Sequence, residues 1–92
     1  VNILRSTQQD VSALFASKSA DKFDKADYEK SLQGTPVIKE TLANFICRRQ
    51  KSVDAGDHLV IFGEVIDFRS DDGSPLLYFN GDYCSIDQDR SE

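Results

Sequence analysis

The spacing of apolar residues changes character at Val37. Ahead of that point they are sparse. "VNIL" at the start reads as a short apolar strand, and "STQQDVSALFAS" follows it. Val11, Leu14 and Phe15 fall at i, i+3 and i+4, one narrow face of a helix over about Thr7 to Ala16. Ser6 or Thr7 is placed to cap that helix, and Asp10 lies in its first turn. "SKSADKFDKADYEKSLQGTP" is polar, with Phe23, Tyr28 and Leu32 as its large apolar anchors. It predicts a long loop with one helical turn around Asp27 to Leu32, ended by Gly34. Pro36 then fixes the entry to a β region.

Beyond Val37 the pattern is that of strands. In "TLANFICRRQKSV" the alternation puts Phe45 and Cys47 on one face and Leu42, Asn44 and Ile46 on the other. "HLVIFGEVIDF" is apolar on both faces, which predicts a strand covered on both sides in a barrel or sandwich. Gly63 within it predicts a bulge or a close backbone approach. Asp72-Gly73 in "RSDDGSP" signals a hairpin turn, and "LLYFNGDYCSI" predicts a last strand broken near Asn80-Gly81. The tail "DQDRSE" reads as frayed. The expected architecture is mainly β with a short helix, an antiparallel meander of three or four strands. Its unpartnered first and last strands mark it as part of a barrel rather than a whole one.

At 92 residues the chain is one domain at most. Its 39% apolar content, with six Phe and three Tyr, supplies a small core and is too high for a disordered tail. The net charge of −5 argues against nucleic acid or an anionic membrane as partner. No run approaches the ~20 apolar residues of a spanning helix, and no signal-peptide core is visible. Cys47 and Cys84 form no CxxC motif and predict two reduced, largely buried thiols in a cytoplasmic protein. The chain starts at Val1 and lacks Met, which points to a processed chain or a piece of a longer one, the latter favoured.

Few residues carry chemistry. His58, the single histidine, follows Gly56-Asp57 where a loop meets an apolar strand. Two readings are open for it: a donor toward a ligand, or a strand-start histidine bonded to a loop carbonyl. Asp57 reads as a turn residue bonding nearby backbone, and Gly56 as the positive φ of the same turn. In "ADKF", Lys22 can pair with a phosphate while Phe23 covers a planar ligand; the bland alternative is a solvated charge beside a loop anchor. No metal site is expected, because Cys47, Cys84 and His58 contain no closely spaced ligand pair. Cys47 in an apolar strand is equally poor as a nucleophile. Asp67, Asp71 and Asp72 lack calcium-loop spacing.

Several of these groups, in this order, resemble a known family. "VNIL" leading into a Gln-bearing helix ending "LFAS", then "DKF", "ANFICRRQKSVDAGDHLVIFGEV" and "PLLYFNGDY" are similar to the C-terminal half of flavin reductase-like domains, from Val1 to about Tyr83. The Ser/Thr-rich segment and Asp-Pro-Pro turn of that family's N-terminal half have no counterpart here. The resemblance implies an FMN-binding split-barrel fold, with residues 1–92 as the C-terminal portion of one such domain. It also implies an NAD(P)H:flavin oxidoreductase, with NADH or NADPH passing hydride to FMN or FAD, and reduced flavin leaving for an oxygenase component. A homodimer with flavin in a groove near the subunit interface is implied too. By the same resemblance His58 is the catalytic candidate, and Lys22, Phe23, Gly56 and His58 are the cofactor-binding ones. A non-catalytic flavin-binding or dimerisation module is the alternative.

Overall fold

The computed structural model describes residues 1–86, and the expectation of a frayed tail lies outside them. The described residues form β1 (Asn2–Ile3), α1 (Gln9–Ala16), α2 (Lys22–Lys25), β2 (Tyr28–Lys30), β3 (Pro36–Ile38), β4 (Ala43–Ala55), β5 (His58–Ser70), β6 (Leu77–Phe79) and β7 (Asp82–Cys84). The strands are antiparallel and fall into three sheets, ordered β1-β4-β5, β2-β3 and β6-β7. Mainly antiparallel β with little helix is the architecture expected.

The long strands follow the alternation. Two irregularities bend their ladder: Ile66 is extra on β5 between pairs Ile46–Asp67 and Cys47–Val65, and Gln50 is extra on β4 between Arg49–Gly63 and Lys51–Phe62. Gly63 is a point of close approach, since a Cβ there would lie 3.0 Å from the Cβ of Cys47. The burial expected of β5 is not found. All its residues are exposed, and β4 is its one strand neighbour among the described residues. Cys47 and Cys84, expected to be largely buried, are likewise exposed; both are free thiols.

The core sits at the base of this arm, where Ile38 and Ile46 are buried with Gln8, Thr41 and Asn44. Gln8 explains why α1 begins two residues later than expected. Its side chain accepts from Arg5 N and donates to the Lys39 carbonyl, both at 2.9 Å, so it ties the helix entry to the core in place of a Ser6 or Thr7 cap. Ser17 ends α1, its backbone N–H and hydroxyl both donating to the Leu14 carbonyl.

Four sequence expectations are corrected. The helical turn expected at Asp27 to Leu32 is instead the β2–β3 hairpin, closed by Ser31 N–H to Thr35 O (2.8 Å) and Gly34 N–H to Ser31 O (2.9 Å). Leu32, expected to anchor that segment, is fully exposed at its tip. Asp72-Gly73 makes no hairpin: the chain leaves β5 there and runs beside the N-terminus, with Leu76 N–H to Leu4 O and Ser6 N–H to Ser74 O both 2.9 Å. The broken last strand is a hairpin, β6–β7, turned by Asn80 and Gly81 at φ 54° and 83°, the two positive values of a type I′ turn.

Candidate functional site

The Val53–Val65 stretch folds as the far end of the β4–β5 arm. Ala55 pairs with His58, leaving Gly56 and Asp57 as a two-residue loop. Gly56 has φ 70°, as expected, and is the one positive φ in that loop, the pattern of a II′ hairpin turn. The turn places the Asp57 carboxylate on the imidazole of the next residue, Oδ1 to Nδ1 at 2.6 Å, instead of on nearby backbone. His58 is therefore bonded to a carboxylate and not to a loop carbonyl. A carboxylate accepting from Nδ1–H sets the tautomer and leaves Nε2 open as an acceptor, or as a donor when the ring is protonated. Both side chains are at least 80% exposed.

Lys22 and Phe23 lie elsewhere. Lys22 Nζ donates to the Phe15 carbonyl at 2.9 Å, which makes it a cap on the C-terminal end of α1. Phe23 packs edge-to-face on Phe15 and on Tyr28, with centroids 5.4 and 5.1 Å apart. It walls a largely apolar cleft of about 270 Å³ between α1 and β3, shared with Leu4, Val11, Phe15 and Ile38. From the base of β4 at Ile46 to its end at Ala55 is about 30 Å at ~3.3 Å per residue. Neither His58 nor Gly56 lines the cleft. Within one chain the four candidates thus form two separate groups, the Gly56–His58 corner and the Lys22–Phe23 segment. Each fits one part of a ring-binding site: an imidazole held in one orientation, and a half-exposed aromatic wall.

The alternation had also placed Asn44 between Leu42 and Ile46 on one face, a polar residue in an apolar row, without giving it a role. Asn44 is 7% exposed and lines a second cleft of about 210 Å³ between β2–β3 and the base of the arm. The sequence signal was present in that interrupted row.

Comparison with known proteins places the chain. Residues 1–87 match the flavin reductase like domain. The chain is 39% identical over 94 residues to the flavin-dependent monooxygenase reductase subunit HsaB of Mycobacterium tuberculosis, covering 99% of this chain and 50% of that protein. It is 42% identical over 81 residues to the FMN reductase (NADH) SmoA of Agrobacterium fabrum, covering 88% of this chain and 46% of that one. Among solved structures, nitrilotriacetate monooxygenase component B from Mycobacterium thermoresistibile superposes with a TM-score of 0.89 at 37% identity, over 99% of this chain and 52% of that one. The chain belongs to the flavin reductase-like family, and its strands are those of the family's split barrel. It spans about half the length of the relatives it matches. No helix among the described residues is long and apolar enough to cross a membrane.

Proposed function

We propose that the chain is the C-terminal portion of a single flavin reductase-like domain, and that the whole domain is an NAD(P)H:flavin oxidoreductase. Its reaction is hydride transfer from NADH or NADPH to FMN or FAD, and its product is reduced flavin for a monooxygenase partner. The observation that carries this reading is the family match over residues 1–87, whose relatives are named as reductases. We place the protein in the cytoplasm as a homodimer. The exposed apolar side chains of β5, from Leu59 to Phe68, are suited to contact with a second copy.

The flavin, when bound, supplies the two-electron chemistry; the residues supply placement and electrostatics. His58, oriented by Asp57, presents Nε2 as an acceptor for a nicotinamide carboxamide N–H, or, when the ring is protonated, as a donor toward negative charge on the flavin ring. Gly56 shapes the corner that holds both. Phe23 offers a ring face or edge to a planar ligand. Lys22 meets a phosphate only by giving up its bond to the Phe15 carbonyl. The same exposed strand favours one other reading, a non-catalytic flavin-binding or dimerisation module.

The test is NAD(P)H oxidation by the protein as its gene encodes it, with FMN and FAD supplied in turn. Flavin-dependent oxidation that falls in the His58→Ala variant supports the reductase. A protein that self-associates or holds flavin without oxidising either nicotinamide is the module.

A further inference from the structure

We infer that Asn80-Gly81, the turn of the β6–β7 hairpin, is a self-modification site at which the Asn80 carboxamide is converted to a carboxylate, and that opening of the hairpin sets the pace. The chain has three asparagines, and their surroundings separate them. Asn2 accepts from Ile38 N–H through Oδ1 at 3.2 Å and is followed by Ile3. Asn44 is 7% exposed and is followed by Phe45. Asn80 is exposed, and the residue after it is an exposed glycine.

The reaction needs an electrophile and a nucleophile adjacent in sequence. The Gly81 backbone nitrogen, giving up its proton, attacks Cγ of Asn80. A C–N bond forms, the Cγ–Nδ2 bond breaks, and ammonia leaves with the proton. Water then adds to one of the two carbonyls of the cyclic imide and reopens it. Opening on one side gives aspartate, and opening on the other gives isoaspartate, whose backbone runs through Cβ and Cγ. Water is the one co-reactant, and nothing is oxidised or reduced. A side chain on the following residue would shield the attacking nitrogen. Gly81 has none, and nothing stands within 4 Å of the place a Cβ would occupy. Among the described residues its N–H makes no backbone hydrogen bond, so the nitrogen is not committed to the fold. Asp72-Gly73 also ends in glycine but lacks this freedom, because the Arg5 guanidinium donates to the Asp72 carbonyl and packs against Gly73.

The closed turn holds the reaction back. With φ of 54° and 83° the chain folds tightly on itself, and the nitrogen reaches Cγ when the backbone at Asn80 rotates out of that turn. β6 and β7 are three residues each and, among the described residues, pair with each other alone. A two-stranded ribbon of that size is marginal by itself, so its opening is a local event. One tie to the rest of the fold is the Tyr83 hydroxyl, which donates to Ser12 Oγ at 3.0 Å. Both products act on the turn. Aspartate sets a second carboxylate two residues from Asp82. Isoaspartate lengthens the backbone, so a two-residue loop no longer matches Phe79 with Asp82 or Tyr78 with Tyr83. The modification therefore accumulates with time and frees Tyr83 from Ser12.

The experiment is incubation of the folded protein at mildly alkaline pH in water enriched in heavy oxygen, followed by peptide mass spectrometry. The peptide holding Asn80 is expected to exchange its amide for an acid and to take up one solvent oxygen, while those holding Asn2 and Asn44 stay unchanged. Methyl transfer by an isoaspartyl methyltransferase, used as a reagent, reads the isoaspartate share. Gly81→Ala is expected to slow the conversion severalfold, even though strain at φ 83° favours the open hairpin. Tyr83→Phe keeps the ring and removes the tie to Ser12, so it is expected to speed the conversion roughly twofold to tenfold, the weight of one hydrogen bond lost from the closed state. Conversion at Asn80 no faster than at Asn2, or unchanged in Gly81→Ala, overturns the site. A rate unchanged in Tyr83→Phe overturns control by the hairpin. Flavin reduction plays no part in these readouts.

Discussion

Nδ1 of His58 and Oδ1 of Asp57 stand 2.6 Å apart between adjacent residues, at the end of a thirteen-residue strand pair. Neighbouring side chains on a regular strand point to opposite faces, so this contact exists because Asp57 belongs to the turn and His58 to the strand. Removal of a preorganised donor costs on the order of 10²–10³ in kcat where water is excluded, and less where it is not. The corner is exposed in this chain. His58→Ala is therefore expected to lower kcat for flavin reduction by roughly tenfold to a hundredfold. Asp57→Asn, which still accepts a hydrogen bond but no longer carries charge, is expected to have a smaller effect. Steady-state kinetics with each variant check this, and an unchanged kcat in His58→Ala removes the imidazole from the reaction.

Gly56 governs whether that corner forms. Its φ of 70° is unfavourable for any residue with a Cβ, although open space surrounds the position. The cost of Gly56→Ala is thus backbone strain and not a clash, about 1–2 kcal/mol. A fall in Tm with the β4–β5 pairing intact by NMR is expected. Asn at the same position, which tolerates positive φ better, is expected to recover part of the loss.

The elements legible in the sequence are those whose pattern is local. The alternation in Ala43–Ala55, the Gly-Asp corner and the face of Val11, Leu14 and Phe15 are satisfied by neighbours a few residues away or directly across a hairpin. Tyr28–Lys30 is different. Glu29, Lys30 and Leu32 are good helix formers, and only pairing with Pro36–Ile38 makes the segment a strand, so tertiary contact overrides propensity. Asn80-Gly81 carries the turn chemistry of a hairpin, but strands of three residues leave too little alternation to separate from a break. The apolar content of β5 marks a strand, but the burial expected from it is not found, since all its residues are exposed. At the site, Gly56 and His58 were legible from their order. The capping of α1 by Lys22 was not, because it depends on where the helix ends in space.

The short helix α2 gives a pH prediction. Asp21 precedes it, and its carboxyl is held below the ordinary value of 3.8, first by the Ser19 hydroxyl and also by Lys25 at 3.5 Å. A carboxyl lowered in the folded state adds stability that is present above the unfolded value and is lost as pH falls through the folded one. Order in Ser19–Lys25 is therefore expected to be unchanged from neutral pH down to about pH 4 and to weaken below it. The group is exposed, so the effect is local. Amide exchange in this segment reads it, and Ser19→Ala is expected to move the transition to higher pH.

Arg5 and Gly73 test how the N-terminal strand is fixed to the rest of the fold. The guanidinium donates to the Glu40 and Asp72 carbonyls, each at 2.9 Å, and reaches the Asp71 carboxylate at 3.3 Å. It ties together three chain segments at the ends of β1, β4 and β5, the strands of one sheet. Arg5→Lys keeps the charge but not the fork, and Arg5→Ala removes both, so a loss of about 1–3 kcal/mol is expected for alanine and somewhat less for lysine. Gly73 stands where a Cβ would lie 2.4 Å from Nη1 of Arg5, and its φ of 150° is itself unfavourable for a larger residue. Gly73→Ala therefore carries two costs, a backbone cost present in any background and a clash present only with Arg5 in place. The double variant is expected to be less destabilised than the sum of the singles, with a coupling of roughly 0.5–3 kcal/mol. Chemical denaturation of the four proteins measures it. Additive losses would mean that Arg5 moves aside freely and that the three segments are held by the ladders of the β1-β4-β5 sheet and its flanking backbone bonds.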